Sequence, residues 1–371
     1  MKPINVVIAD SSPAVCRLIK SYLESAPDIR VTGLAHGGQQ VIEMVESQQP
    51  DVITMGLEMP DMNGITVLKV IQQIHATPAI IISGANLRAA SMTVAALQHG
   101  AVDFVFKFTP GTAVQPTAMR QEIINKVRLA SHLNPALLTE KPAPQMAAGV
   151  LLPKHQTKEQ AAQMRVDLDG RPACTPLAPQ QTATKAPDKV IVAGASTGGP
   201  IALRQMLRHL PVDFPSSILI VQHLPPSFTT VLAEQLNEQL SLPVKEAGWG
   251  SPLEKGTVFI TPGQYHLQVG KDGCFRFLAA EEIKGNCPSI NYTMQSVAEV
   301  YQSKARGVLL TGMGDDGIAG LAAIRKHGGT TFVQSLETCT AKGMPQRAIE
   351  AGLADHVAPP ERIAQLLLMG Y

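Results

Sequence analysis

A chain of 371 residues exceeds what one ordinary core serves and fits about two domains at the usual ~100 to 200 residues each. With 31 basic against 30 acidic residues, the formal net charge of +1 excludes a broad electrostatic pull toward nucleic acid or an anionic membrane. The five cysteines (Cys16, Cys174, Cys274, Cys287, Cys339) are scattered and form no Cys-x-x-Cys pair, so neither a disulfide framework nor a zinc site is indicated.

The chain reaches Asp10 after only a short apolar run, and no stretch approaches the ~18 apolar residues of a membrane span. The expectation is a cytoplasmic protein with reduced thiols. From Ile4 to about Arg128, short apolar runs at Ile4 to Ala9, Ile29 to Ala35, Asp51 to Met55, Ala79 to Ile82 and Val102 to Phe106 alternate with helical periodicity. Such alternation predicts a parallel sheet covered by helices, a compact (βα)5 domain. The first helix is well marked: Ser12 can cap it, Pro13 fits its first turn, and Val15, Leu18, Ile19 and Tyr22 fall on one face.

Between about Ser131 and Asp188 lie eight prolines and no Phe, Trp or Tyr. Little apolar area is available there to offset the entropy of ordering, which predicts a long, mostly disordered linker with a short helix around Lys158 to Met164. Beyond Lys189 the βα alternation resumes, with strand-like runs at Val190 to Ala193, Ser217 to Val221, Val258 to Ile260, Gly307 to Thr311 and Thr330 to Val333.

The strongest local signal is Gly194-Ala195-Ser196-Thr197-Gly198-Gly199-Pro200, which follows a strand and opens a helix. It contains Gly-x-Ser-x-Gly, whose glycines permit a sharp strand-to-helix turn that exposes the serine oxygen, and the helix N-terminus favours negative charge developing beside Ser196. Leu203, Met206, Leu207 and Leu210 supply the buried stripe of that helix. The next strand ends in His223, and a third runs into Thr311-Gly312-Met313-Gly314-Asp315-Asp316-Gly317. A serine, a histidine and an aspartate thus each follow the C-terminal end of a predicted parallel strand, where α/β sheets place their sites. In that scheme His223 takes the Ser196 proton and Asp316 fixes the imidazole tautomer. Taken singly, each residue has a plainer reading: His223 as a satisfied strand-end histidine, Asp316 as the cap of a helix starting near Ile318.

These residues resemble the chemotaxis protein-glutamate methylesterases, which join a receiver domain by a linker to a catalytic domain. The resemblance rests on Gly194 to Pro200, on Gln222-His223-Leu224-Pro225-Pro226-Ser227-Phe228, on Thr311 to Gly317 and on Gly343-Met344-Pro345, in the family's order. It implies an α/β chain with a degenerate (βα)5 receiver-like domain over 1–130, a Pro-rich flexible linker over 131–187 and a doubly wound parallel-sheet methylesterase domain over 188–371. It further implies Ser196 as nucleophile, His223 as base, Asp316 as orienting acid, and Thr197 and Met313 flanking the oxyanion and positioning the ester. The implied substrates are γ-glutamyl methyl esters on cytoplasmic helices of chemoreceptors, with deamidation of receptor glutamines by the same acyl chemistry. A histidine kinase or adaptor is the partner implied for the N-terminal domain. Neither nucleic acid, membrane insertion, metal nor cofactor is called for. Relatives commonly carry Arg at the position of Cys287 and Asp at that of Asn291, departures that bear on substrate positioning or the domain interface.

Receivers phosphorylate an aspartate at the end of their third strand, with Mg²⁺ held by that residue and by an acidic pair after the first strand. Here the pair reads Ala9-Asp10, and Gly56 falls at the acceptor position. Ser83 and Lys107 stand where the family keeps its phosphate-sensing residues, while Phe108 replaces a proline, so that loop is expected to take another path. The expectation is a pseudo-receiver kept for docking or fixed inhibition, with Asp51 and Asp61 as the alternative acceptors. Rival readings of the whole chain are a non-catalytic signalling adaptor, a dinucleotide-binding oxidoreductase, which would want a Tyr-x-x-x-Lys pair that neither Tyr292 nor Tyr301 supplies, and an α/β-hydrolase using His356 in place of His223.

Overall fold

The first sheet forms where buried apolar runs alternate with capped amphipathic helices. The computed structural model describes residues 2–107, 116–133 and 187–370. Phe108, most of the expected linker and the helix expected around Lys158 to Met164 lie outside the described residues. The N-terminal elements are β1 (Ile4–Ala9), α1 (Pro13–Leu23), β2 (Ile29–Ala35), α2 (Gly38–Gln48), β3 (Val52–Met55), α3 (Gly64–Ile74), β4 (Ala79–Ser83), α4 (Leu87–Gln98), β5 (Ala101–Phe106) and α5 (Pro116–Ser131). Their strands pair in parallel in the order β2-β1-β3-β4-β5. Ser12 caps α1 through Val15 N–H, as its position suggests, although the fully buried stripe runs through Cys16, Ile19 and Leu23. Val15, Leu18 and Tyr22 are only half-buried, at the margin of that stripe.

The second sheet carries β6 (Val190–Ala195), α6 (Gly199–Leu207), β7 (Ser217–Gln222), α7 (Pro226–Gln239), β8 (Val244–Glu246) and β9 (Val258–Ile260). A separate antiparallel hairpin follows, β10 (Tyr265–Val269) and β11 (Phe275–Ala279), and then α8 (Ile290–Tyr301). The chain returns to the sheet with β12 (Ala305–Leu309), α9 (Ile318–Lys326), β13 (Thr330–Gln334), α10 (Gly343–Glu350), β14 (His356–Ala358) and α11 (Pro360–Leu368). The strand order is β14-β13-β12-β6-β7-β9-β8, all parallel. From β6 the chain passes on one side to β7, then to the edge strand β8 and back to β9 between them, and afterwards to the other side through β12, β13 and β14. The crevice beyond the C-terminal ends of β12, β6 and β7 is therefore the switch point at which such sheets place their sites.

Both sheets belong to one compact unit, and one apolar cluster runs from β3, β4 and α4 into α6 and α7. Phe104 of β5 stacks on Phe228 of α7 with ring centroids 4.8 Å apart, and Phe106 meets both edge-on. Gln239 Nε2 donates to Gln98 Oε1 (2.8 Å) and Gln235 Nε2 to the Ser91 carbonyl (3.1 Å), so α4 and α7 are also joined by hydrogen bonds at their margin. Among the described residues no helix is long and apolar enough to cross a membrane. The four described cysteines are unpaired, and burial pushes the Cys339 thiol up to about 12.

Candidate active site

Ser196 leaves the end of β6 on a sharp turn into α6 that needs a glycine at position 198. Gly198, the N-cap of α6, has φ +77°, a left-handed conformation in which a side chain would also strike Thr340. Ser196 N–H donates to the Thr311 carbonyl (3.0 Å) and its own carbonyl accepts from Gly199 N–H (2.8 Å), which closes the turn. A Cβ on Gly312 would lie 2.8 Å from Ser196 Cβ, so the glycine lets the β12 loop close on the serine. The Ser196 hydroxyl makes no hydrogen bond among the described residues, and the residue is half-buried.

His223 follows the last residue of β7. Ala195 and Gln222 are register partners, and His223 N–H donates to the Ala195 carbonyl (3.1 Å). Ser196 and His223 are therefore the next residues on neighbouring strands, whose backbones run about 4.8 Å apart. The Gln222 amide, 1% exposed, donates to the Ser196 carbonyl (2.9 Å) and more weakly to the His223 carbonyl (3.5 Å), tying the two tips together.

His223 Nε2–H donates to Asp316 Oδ2 at 2.9 Å. Asp316 is 6% exposed, and its carboxylate also accepts from Ile290 N–H (2.8 Å), Asn291 N–H (2.9 Å) and Ser289 Oγ–H (3.3 Å). It caps the N-terminus of α8, not the helix near Ile318 that its sequence position suggests. Burial raises its pKa, but the bonds from His223 and from the Asn291 and Ile290 N–H groups outweigh that and hold it below the usual carboxylate value. With Nε2 committed to the acid, Nδ1 is the ring nitrogen left to serve as a base.

Asn291 returns the favour to the other helix. Its Oδ1 accepts from Gly317 N–H (3.0 Å) and Gly320 N–H (2.8 Å), so the two helix starts cap one another across the loop. The departure at Asn291 thus falls on scaffolding behind Asp316. Cys287, the other departure, precedes Pro288 through a cis peptide beside the same helix start. Met313 is 38% exposed on the rim, where its Cα lies 3.3 Å from a Cβ built on Gly343. His356 is remote: it begins β14, stacks on Phe332 (5.1 Å) and sits three strands from β6, about 14 Å at the usual spacing.

Thr197 is engaged from the N-terminal sheet. Its hydroxyl donates to Asp103 Oδ2 of β5 at 2.5 Å. Asp103 Oδ1 accepts from Phe104 N–H (2.7 Å) and from Lys126 Nζ of α5 (3.2 Å). Burial opposes the Lys126 charge, but Asp103 and Glu122 hold its pKa above the ordinary value. Nothing local in the sequence pairs Asp103 with Thr197, 94 residues apart.

At the tip of the first sheet, Asp10 Oδ2 lies 2.7 Å from Lys107 Nζ and 2.7 Å from a Cβ built on Gly56. Its other oxygen accepts from Ser12 N–H (2.9 Å). These residues do not fit the Mg²⁺ of a receiver: one carboxylate remains, and it is already neutralised by a lysine. Ser83 Oγ bonds Thr93 Oγ1 (2.7 Å) and the Gly84 carbonyl (3.0 Å). Asp51 accepts from Asn5 N–H (2.7 Å), and Asp61 caps α2 through Gly38 N–H (2.7 Å) and Gln39 N–H (2.9 Å).

Comparison with known proteins agrees with this architecture. Residues 6–115 match the response regulator receiver domain and residues 191–367 match the CheB methylesterase family. A protein-glutamate methylesterase/protein-glutamine glutaminase of Symbiobacterium thermophilum is 36% identical over 366 residues, covering 99% of this chain and 96% of the relative. One of Thermotoga maritima is 35% identical over 370 residues, covering 98% of each chain. The crystal structure of the Thermotoga maritima CheB methylesterase catalytic domain is 40% identical and covers 49% of this chain and 98% of its own, with a TM-score of 0.48. On these grounds the chain belongs to the protein-glutamate methylesterase/protein-glutamine glutaminase family, carboxylic ester hydrolases with a receiver domain and a CheB methylesterase domain.

Proposed function

We propose that this enzyme hydrolyses γ-glutamyl methyl esters on the cytoplasmic helices of chemoreceptors, with Ser196 as nucleophile, His223 as base and Asp316 as orienting acid. The observation that carries the reading is the hydrogen bond from His223 Nε2–H to buried Asp316, on the strand tip next to a serine whose hydroxyl is uncommitted. Ser196 Oγ attacks the ester carbonyl as its proton passes to His223 Nδ1, and Asp316 stabilises the resulting imidazolium. The tetrahedral oxyanion is held by N–H groups at the start of α6, with Thr197 and Met313 beside it. Collapse breaks the C–OCH₃ bond, and the imidazolium proton leaves with the methoxide as methanol. Water, deprotonated by His223, then cleaves the acyl-serine to a carboxylate and restores the hydroxyl. A glutamine amide follows the same course with ammonia as the leaving group.

The N-terminal domain is a pseudo-receiver in this reading. Gly56 offers no carboxylate to phosphorylate, Asp10 and Lys107 neutralise one another, and Asp51 and Asp61 are spent on backbone N–H groups. The Asp103–Thr197 hydrogen bond and the Phe104–Phe228 stack support a role in holding the active-site turn, with a histidine kinase or adaptor as the partner of its free surface. The test of the catalytic reading is methanol release from methylated receptor membranes by wild type and Ser196→Ala. We expect the variant to lose at least about a thousandfold in turnover. Equal turnover would favour a non-catalytic adaptor built from the same two domains.

A further inference from the structure

We propose that His266, on the hairpin outside the main sheet, is a positioning residue for Asp316 that acts through Ser289. The inference rests on the reading of Asp316 as the acid that orients His223. Three of the hydrogen bonds to Asp316 come from one short segment, the N–H groups of Ile290 and Asn291 and the hydroxyl of Ser289. The position of the carboxylate, and through it the tilt of the His223 ring, is therefore set by where the start of α8 is fixed.

Three contacts fix α8 against β10. Thr293 Oγ1 donates to the Leu267 carbonyl (2.9 Å), Val269 N–H donates to Ser296 Oγ (3.1 Å), and Ser289 N–H donates to His266 Nδ1 (3.2 Å). The first two reach the backbone of β10 from one and two turns into the helix. Only the third uses a side chain of β10, and of the three contacts only it grips a residue that itself touches Asp316. His266 is fully buried, its ring edge-on to Tyr292, and its Nε2–H donates to the Ala280 carbonyl (3.3 Å) at the end of β11. Because Nδ1 accepts from an N–H, the proton sits on Nε2 and the ring is neutral. The imidazole is thus a two-ended spacer between the hairpin end and the helix start, and its length sets their separation.

Two substitutions separate positioning from ordinary packing, because each preserves one end of the spacer. In His266→Asn the amide oxygen takes the place of Nδ1 and can accept from Ser289. In His266→Gln the amide reaches the place of Nε2, can meet the Ala280 carbonyl, and leaves Ser289 N–H without its acceptor. In the full-length enzyme, with methanol release from a γ-glutamyl methyl ester peptide as the assay, we expect His266→Asn to keep kcat within about threefold of wild type. We expect His266→Gln to lose on the order of tenfold or more in kcat with KM little changed, as misplaced catalytic groups do. The proton NMR resonance of His223 Nε2–H should persist in the first variant and broaden in the second. Equal kcat for the two variants, or the better activity in His266→Gln, would overturn the proposal. Wild-type turnover by Asp316→Asn, measured alongside, would instead overturn the role of Asp316 itself.

Discussion

Buried carboxylates are costly unless their lone pairs are filled, and Asp316 fills its own with one imidazole, two backbone N–H groups and one hydroxyl. The α8 N-terminus adds the partial positive charge of its aligned peptides. Because folding lowers this pKa, ionised Asp316 contributes stability that is fully present above the unfolded value of about 3.9 and is lost as pH falls through the lower folded value. Asp316→Asn is therefore expected to be less stable than wild type by about 1–3 kcal/mol at neutral pH, a gap that narrows as pH falls below the unfolded value. Urea denaturation of both proteins across that range reads the effect. A gap independent of pH would show that the charge contributes nothing. Ser196, His223 and Asp316 are legible in the sequence because each follows an apolar run and precedes a glycine or proline that ends it. Ser289, Asn291 and His266 are not, because they meet Asp316 across sequence gaps of about two dozen residues or act through a neighbour, and no local pattern marks such contacts.

The turn between β6 and α6 concentrates the backbone cost of presenting Ser196. Gly198→Ala would place a side chain at φ +77° against Thr340. The left-handed conformation alone costs roughly 1–2 kcal/mol, and relieving the contact moves the loop that carries Ser196. We expect a lower melting temperature and a fall in kcat on the order of a hundredfold in the methanol-release assay, with full activity in the variant showing that the turn does not set the serine. Central strands are easiest to read where, as in β6 and β7, they are buried along their whole length and carry nearly continuous apolar runs; β12 is as buried but begins Ala305-Arg306-Gly307. The expected run at Gly307 to Thr311 is displaced by two residues, because Leu310 and Thr311 bend toward the site after β12 ends at Leu309. The short strands β8 and β14 and the hairpin β10–β11 leave no comparable signal in the sequence. Strands of three residues lack a period to detect, and Tyr265, Gln268 and Arg276 give the hairpin a mixed, half-exposed composition.

At the scale of the molecule, the first sheet has kept the receiver architecture while its reactive tip has changed. At that tip Lys107 lies against Asp10, and the proposed pseudo-receiver can be tested directly. Incubating the full-length protein with a small phosphodonor and Mg²⁺ should leave its mass and its methanol-release rate unchanged, and either an added phosphoryl group or a faster rate would contradict the pseudo-receiver. Gly56 at the expected acceptor position and Ala9 in the expected acidic pair are plain in the sequence. Pairing of β5 with the active-site turn is not, since Asp103 and Phe104 read as ordinary residues of a buried strand and their partners belong to the other sheet.

A hydroxyl owns a single proton. While Thr197 gives that proton to Asp103, it has none to offer an incoming ester, so any substrate that needs it must compete with a carboxylate already anchored by Lys126. For such a substrate, occupancy and the Thr197–Asp103 bond would exclude one another. Its apparent affinity would then scale with the fraction of molecules in which Asp103 has let go. A ligand that draws the two sheets apart would sharpen that affinity without touching any residue of the catalytic centre, and saturating substrate would loosen the domain contact in return.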